Sequence, residues 1–294
     1  MEFELLIDAK AGIAETPVWD GRVGRLYWTD VMTGDIHGYD PQSGTELLWE
    51  TGRAIGSAIP CEDAGKLFCA LEDGLFVLDL DAGKYELVCN PDGRTGFRYN
   101  DSRIDAKGRI LTSTVSKLYG TDEYRPDLLG RFYLVDTDGT VVTLADEVNQ
   151  YNGIAWNQDS TKMYVVDTHN SKLLMFPYDI ERGPTEDSIC ALDLDEFGMP
   201  DGLSIDAEDT LYICHWSGKI SVWDKDLKHI DTIIFPVDYV CCGGFGGPDG
   251  KEFFVASSSW NYTDADFKRN PGAGGIFAGR SETPGRPENF YPSP

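Results

Sequence analysis

Glu15, Asn100, Asn152 and Asp201 carry side-chain oxygens, and each stands four positions before a Trp or an Ile. They lie in Ala14-Glu-Thr-Pro-Val-Trp19, Arg98-Tyr-Asn-Asp-Ser-Arg-Ile104, Tyr151-Asn-Gly-Ile-Ala-Trp156 and Pro200-Asp-Gly-Leu-Ser-Ile205. Two carboxylates and two amides brought to one place form a cation site, because hard divalent ions such as calcium, magnesium or manganese prefer these oxygens and water. Zinc more often recruits His or Cys. With four protein ligands, one or two coordination positions are left to water or substrate, which is the condition for metal catalysis. A single Asn or Asp at a strand start is ordinarily a turn former. Turn chemistry explains neither Glu15 nor the shared position.

The elements that must position these residues repeat along the chain. Six times a polar or charged residue precedes two apolar or aromatic ones, in Arg25-Leu-Tyr27, Lys66-Leu-Phe68, Arg109-Ile-Leu111, Lys162-Met-Tyr164, Thr210-Leu-Tyr212 and Glu252-Phe-Phe254. The third residues are 41, 43, 53, 48 and 42 positions apart. Gly (32) and Pro (15) punctuate the chain too often for long helices, so each unit is a group of short strands. Six units in 294 residues average 49 each, the size of a four-stranded propeller blade. The pattern predicts an all-β fold, a single six-bladed β-propeller over residues 1–294. A sandwich would show strands and turns too, but it does not require equal repeats.

In a propeller the innermost strand of each blade lines the central channel, and here it should be the strand before each signature. The four oxygen-bearing residues fall 11 or 12 positions before a signature's third residue, so they converge on one axis from four blades. The equivalent places in the second and sixth units fall near Gly56 and Gly243, which offer no ligand but leave space. The longest spacing carries an extra segment, 116–130, whose composition suits a lid loop over the channel mouth.

Charge bounds the partners. With 25 Lys+Arg against 50 Asp+Glu the formal charge is −25, which disfavours phosphate backbones and anionic lipid surfaces and leaves small molecules and cations. The amino terminus is acidic where a signal peptide needs basic residues, and no run reaches about 18 apolar residues. The seven cysteines show no CxxC spacing, so reduced thiols in the cytoplasm are expected, with Cys241 and Cys242 buried. Gly243-Gly-Phe-Gly-Gly247 lacks the Lys-Ser/Thr of a phosphate loop.

As a set, Ala14-Glu-Thr-Pro-Val-Trp19, Arg98-Tyr-Asn-Asp101, Asn152-Gly153, Pro200-Asp-Gly202, Cys241-Cys-Gly-Gly-Phe-Gly-Gly247 and Ala273-Gly-Gly-Ile-Phe277 resemble the gluconolactonase, regucalcin and senescence-marker-protein family, in order and over nearly the whole chain. The resemblance implies a six-bladed propeller, one catalytic divalent cation and hydrolysis of sugar lactones. Carried onto this sequence, it makes Glu15, Asn152 and Asp201 the metal ligands, and Arg98 and Asn100 the groups facing a sugar lactone. Calcium is the first choice of ion, with magnesium, manganese, iron(II) or zinc as alternatives. Where animal members carry a Glu pair in the lid, this chain has Lys117 and Leu118. A basic lid residue at Lys117 suits an acidic lactone.

The expected reaction is therefore opening of an aldonolactone to its acid, with Asp201 as the base that takes a proton from water and returns it to the ring oxygen. Whether the attacking water is metal-bound or held by Asp201 stays open. Two rivals remain: a phosphotriesterase like the organophosphatase propellers, which use a similar Glu, Asn, Asn and Asp set, and a non-catalytic interaction propeller with a structural ion. His215 is the better functional candidate of the two histidines near blade-strand ends, the other being His169.

Overall fold

The computed structural model describes residues 1–292 and forms six antiparallel sheets arranged as a propeller. The inner strands are Ala14–Asp20, Ile55–Pro60, Phe97–Ile104, Tyr151–Trp156, Pro200–Ile205 and Val240–Gly246. Each pairs with a second strand that begins at or beside one of the six signatures. The sixth blade takes its outer strand from the other end of the chain, because Phe3–Ile7 pairs with Ile276–Arg280 and closes the ring.

The blade arrangement explains the signature. Successive residues of a strand point to opposite faces, and here both faces of a blade's second strand are covered by the neighbouring blades. Leu26 packs into the cluster shared with the sixth blade, while Tyr27 packs into the one shared with the second. Leu67 and Phe68 divide in the same way between the first and third blades. Six hydrophobic clusters fill the six interfaces between blades, and the core is a ring around the channel.

Every inner strand breaks register near its start: between Glu15 and Val18, Ile55 and Ser57, Tyr99 and Ser102, Tyr151 and Ile154, Pro200 and Leu203, and Val240 and Cys242. A bulge bends a strand and re-aims its side chain, which sends these positions to the axis. Close backbone packing accompanies it. A Cβ on Gly202 would lie 2.2 Å from the Cys242 Cβ, so the residue after Asp201 has no room for a side chain.

One expectation needs correcting. The sixth axial position is Cys241 and not Gly243. In the fifth blade the ladder beyond the bulge runs from Leu203 opposite Ile213 to Ile205 opposite Leu211, but in the sixth it runs from Cys242 opposite Ala256 to Gly246 opposite Glu252. A fixed step back from the signature therefore falls two residues short of the bulge.

The far end of the channel is crossed by the carboxy-terminal segment. The Arg286 N–H donates to Ile205 O, the Asn289 side chain to Ile104 O and the Tyr291 N–H to Pro60 O. Those acceptors end three inner strands, at the end away from their bulges. Among the described residues no helix is long and apolar enough to cross a membrane.

Candidate active site

The bulges place Glu15, Asn100, Asn152 and Asp201 at the floor of a cavity of about 320 Å3. Hydrogen bonds fix the amides. Asn152 Nδ2 donates to Thr168 Oγ1 at 2.7 Å, while its Oδ1 accepts from Asn100 Nδ2 of the neighbouring blade. Asn100 Nδ2 also reaches Tyr151 O at 3.0 Å. Arg98 donates to Asn100 Oδ1 at 2.8 Å and to Tyr99 O at 3.0 Å. A guanidinium has five N–H donors, so others remain for a ligand.

The carboxylates are electrostatically loaded. Burial pushes the Glu15 carboxyl up to about 7, against the hydrogen bond from Cys242 and with further help from the charge of Asp101. Asp201 is raised well above the ordinary carboxylate range by burial and then by Glu15, although Trp216 Nε1 donates to its Oδ2 at 2.5 Å. Burial lowers Arg98 to about 10, with Glu15 and Asp201 acting in the opposite direction. Two desolvated carboxylates, Glu15 raising Asp201, beside the Asn152 amide oxygen are a donor set that a divalent cation fits, because its charge relieves their repulsion.

Sequence reasoning missed an ion pair beneath this floor. Asp101 lines the cavity, and its Oδ1 accepts from Arg103 Nη1 at 2.6 Å, both residues being buried. Burial would lower Arg103, but Asp101 and Glu288 together hold it above its usual value. The alternation Asn100-Asp-Ser-Arg103 was the available signal, since Asp101 and Arg103 are two apart on one strand. Arg103→Ala leaves Asp101 buried and unpaired beside Glu15, and the expected loss is about 3–5 kcal/mol of stability, measured by denaturant unfolding.

The walls come from elsewhere. Trp216 and Trp260 meet edge to face with centroids 5.9 Å apart, and Met32, Met199 and Tyr119 extend this apolar side. From the extra segment after the third signature, Lys117, Tyr119, Gly120 and Thr121 line the cavity. Gly120 has φ +79° and lies so near Trp260 that a Cβ would meet its ring at 2.8 Å, so the segment rests on that indole. Lys117 is held by Glu72, Nζ to Oε2 at 3.0 Å, which was not legible from local sequence.

His215 stands apart from the cavity. Its Nδ1–H donates to Gly198 O at 3.0 Å and its Nε2 accepts from Ser221 Oγ at 2.8 Å, and burial lowers its pKa to about 4. It is a neutral structural residue, and His169 is exposed.

A six-bladed propeller with paired carboxylates and amides at the floor of its channel defines a class of axial-site propellers. This chain belongs to the family described as SMP-30/Gluconolactonase/LRE-like, whose model matches residues 13–259. It is 28% identical over 286 residues to the 6-deoxy-6-sulfogluconolactonase of Pseudomonas putida, spanning 95% of this chain and 94% of that protein. It is also 28% identical over 291 residues to pentonolactonase XacC of Haloferax volcanii, covering 96% of each. The crystal structure of a calcium-binding protein, regucalcin, from Agrobacterium tumefaciens superposes with a TM-score of 0.90 at 27% identity, over 98% of this chain and 97% of that one.

Proposed function

We propose that the protein hydrolyses a sugar-derived lactone to the open-chain acid at the axial site, with a divalent cation held by Glu15, Asn152 and Asp201. The observation that carries this is the Glu15–Asp201 carboxylate pair beside two fixed amides at the floor of the cavity. The lactonase relatives support the substrate class, and the calcium-binding neighbour supports a divalent ion, with calcium matching the oxygen donors. All seven cysteines are unpaired, in keeping with the cytoplasm as its place of action.

When bound, the cation supplies Lewis acidity toward the lactone carbonyl and an adjacent water. The protein's own groups do the rest. Asp201, oriented by the Trp216 Nε1–H that donates to its Oδ2, is the proton acceptor, taking a proton from the attacking water and giving it to the ring oxygen as that C–O bond breaks. Arg98 is pinned by Asn100 and directs its remaining N–H groups at sugar hydroxyls or at the developing oxyanion. Asn100 sets the position of both Arg98 and Asn152.

Chelator-stripped protein, re-supplied with single divalent ions and assayed by acid release from gluconolactone, xylonolactone, galactonolactone and uronic-acid lactones, tests the proposal. Turnover should vanish on stripping and return with metal. Full activity in verified metal-free protein refutes the cation requirement, and no turnover of any lactone refutes the substrate class.

Lys117 is the candidate for choosing among lactones. Its ammonium favours an anionic group, but Glu72 already engages it in a partly exposed pair, where such contacts are worth about 1 kcal/mol or less. Lys117→Ala should lower the kcat/KM ratio of anionic to neutral lactones by no more than about fivefold, and Glu72→Ala should raise it. An unchanged ratio in both variants takes Lys117 out of substrate selection.

A further inference from the structure

Cys241 is the side chain that the sixth blade sends to the axis. The register shift between Val240 and Cys242 gives it the place that Asn152 and Asp201 hold on their own blades. Its Sγ and a carboxylate oxygen from each of Glu15 and Asp201 all lie within 4.8 Å of one another. The residue is fully buried, and among the described residues its thiol makes no hydrogen bond. Neighbouring Cys242 differs, because its Sγ accepts the Thr16 N–H at 3.0 Å and its thiol donates to Glu15. Packing alone does not call for sulfur here, since Ala or Ser would occupy the space without setting a thiol against two acids.

We propose that Cys241 is a thiolate ligand of the axial cation, and that with Glu15 and Asp201 it admits thiophilic divalent ions such as zinc, cobalt or cadmium. Oxygen donors alone favour hard ions, whereas one thiolate shifts the preference toward softer ones. The balance is simple: the metal–sulfur bond forms, the S–H bond breaks, and the proton passes to buffer. The inference rests on the cation centre proposed above but not on the lactone.

The test reads the metal and not turnover. Chelator-stripped protein titrated with cobalt(II) or cadmium(II) should gain a sulfur-to-metal charge-transfer band that saturates at one equivalent. Cys241→Ser should lose the band and weaken zinc binding by about tenfold or more, while calcium binding stays within about twofold. Cys242→Ser and the exposed-site control Cys190→Ser should keep the band. Absence of the band in the wild-type protein, or its survival in Cys241→Ser, overturns the proposal. Zinc-edge X-ray absorption on the wild-type protein needs no variant: one sulfur neighbour at about 2.3 Å supports it, and a shell of oxygen and nitrogen alone overturns it. Failure here leaves lactone hydrolysis standing, and absence of lactone turnover leaves the spectra unchanged.

Discussion

Asp201→Asn should lower turnover about a hundredfold or more while the metal stays bound, because the amide keeps an oxygen donor and loses the proton acceptor. The fold should tolerate the change. Trp216 Nε1 still finds an oxygen to donate to, and the variant removes a carboxylate that burial and Glu15 disfavour. Rate should depend on pH in a defined direction. A base must be deprotonated, so kcat/KM of the parent falls as the pH drops through the Asp201 pKa, and that acidic limb should be missing from the residual activity of the variant. Metal analysis on the same samples separates loss of the base from loss of the ion. Near-normal turnover with metal occupancy confirmed assigns the base to another group.

Much of this site could be read from sequence because the propeller repeats its geometry. A residue at a fixed offset from a buried two-residue signature has a defined place in its blade, so Glu15, Asn100, Asn152 and Asp201 could be placed on one axis without coordinates. The same rule missed Cys241, since an offset counted from the signature assumes equal ladders and the sixth ladder is longer. Groups brought in by long-range contacts had no local mark. Trp216 reaches Asp201 from the turn after the next strand, Glu72 holds Lys117 from another blade, and Trp260 supports the extra segment from a loop beyond the sixth blade's second strand. Arg103 was hidden differently, because a charged residue in an inner strand looks exposed until Asp101 is seen beside it.

The axial acid pair should also make the protein's stability depend on cation and pH together. Glu15 has a folded pKa of about 7 against an ordinary 4.5, so between these values the folded chain holds a proton that the unfolded chain releases. A carboxylate raised in this way contributes stability that is fully present below the unfolded pKa and is lost as pH rises through the folded one. Asp201 is shifted in the same direction and adds to the loss. At pH 8 the ion-free protein therefore holds Glu15 as a desolvated carboxylate beside Asp201, a penalty of a few kcal/mol for Glu15 by the usual conversion of pKa into free energy. A divalent cation bound only to the folded state offsets this, contributing about 2.7 kcal/mol at a hundredfold excess over its Kd. Protons compete for the same oxygens, so the gain should be large at pH 8 and small at pH 5. Thermal unfolding of chelated and ion-loaded protein at the two pH values reads it directly, with a difference in Tm on the order of 5 °C or more expected at pH 8. Other acids also respond to pH, and Glu15→Gln isolates the pair: its ion-free Tm should fall less between pH 5 and 8, and added ion should raise it less. An ion-induced shift as large at pH 5 as at pH 8, unchanged in Glu15→Gln, would place the stabilising ion away from the axial carboxylates.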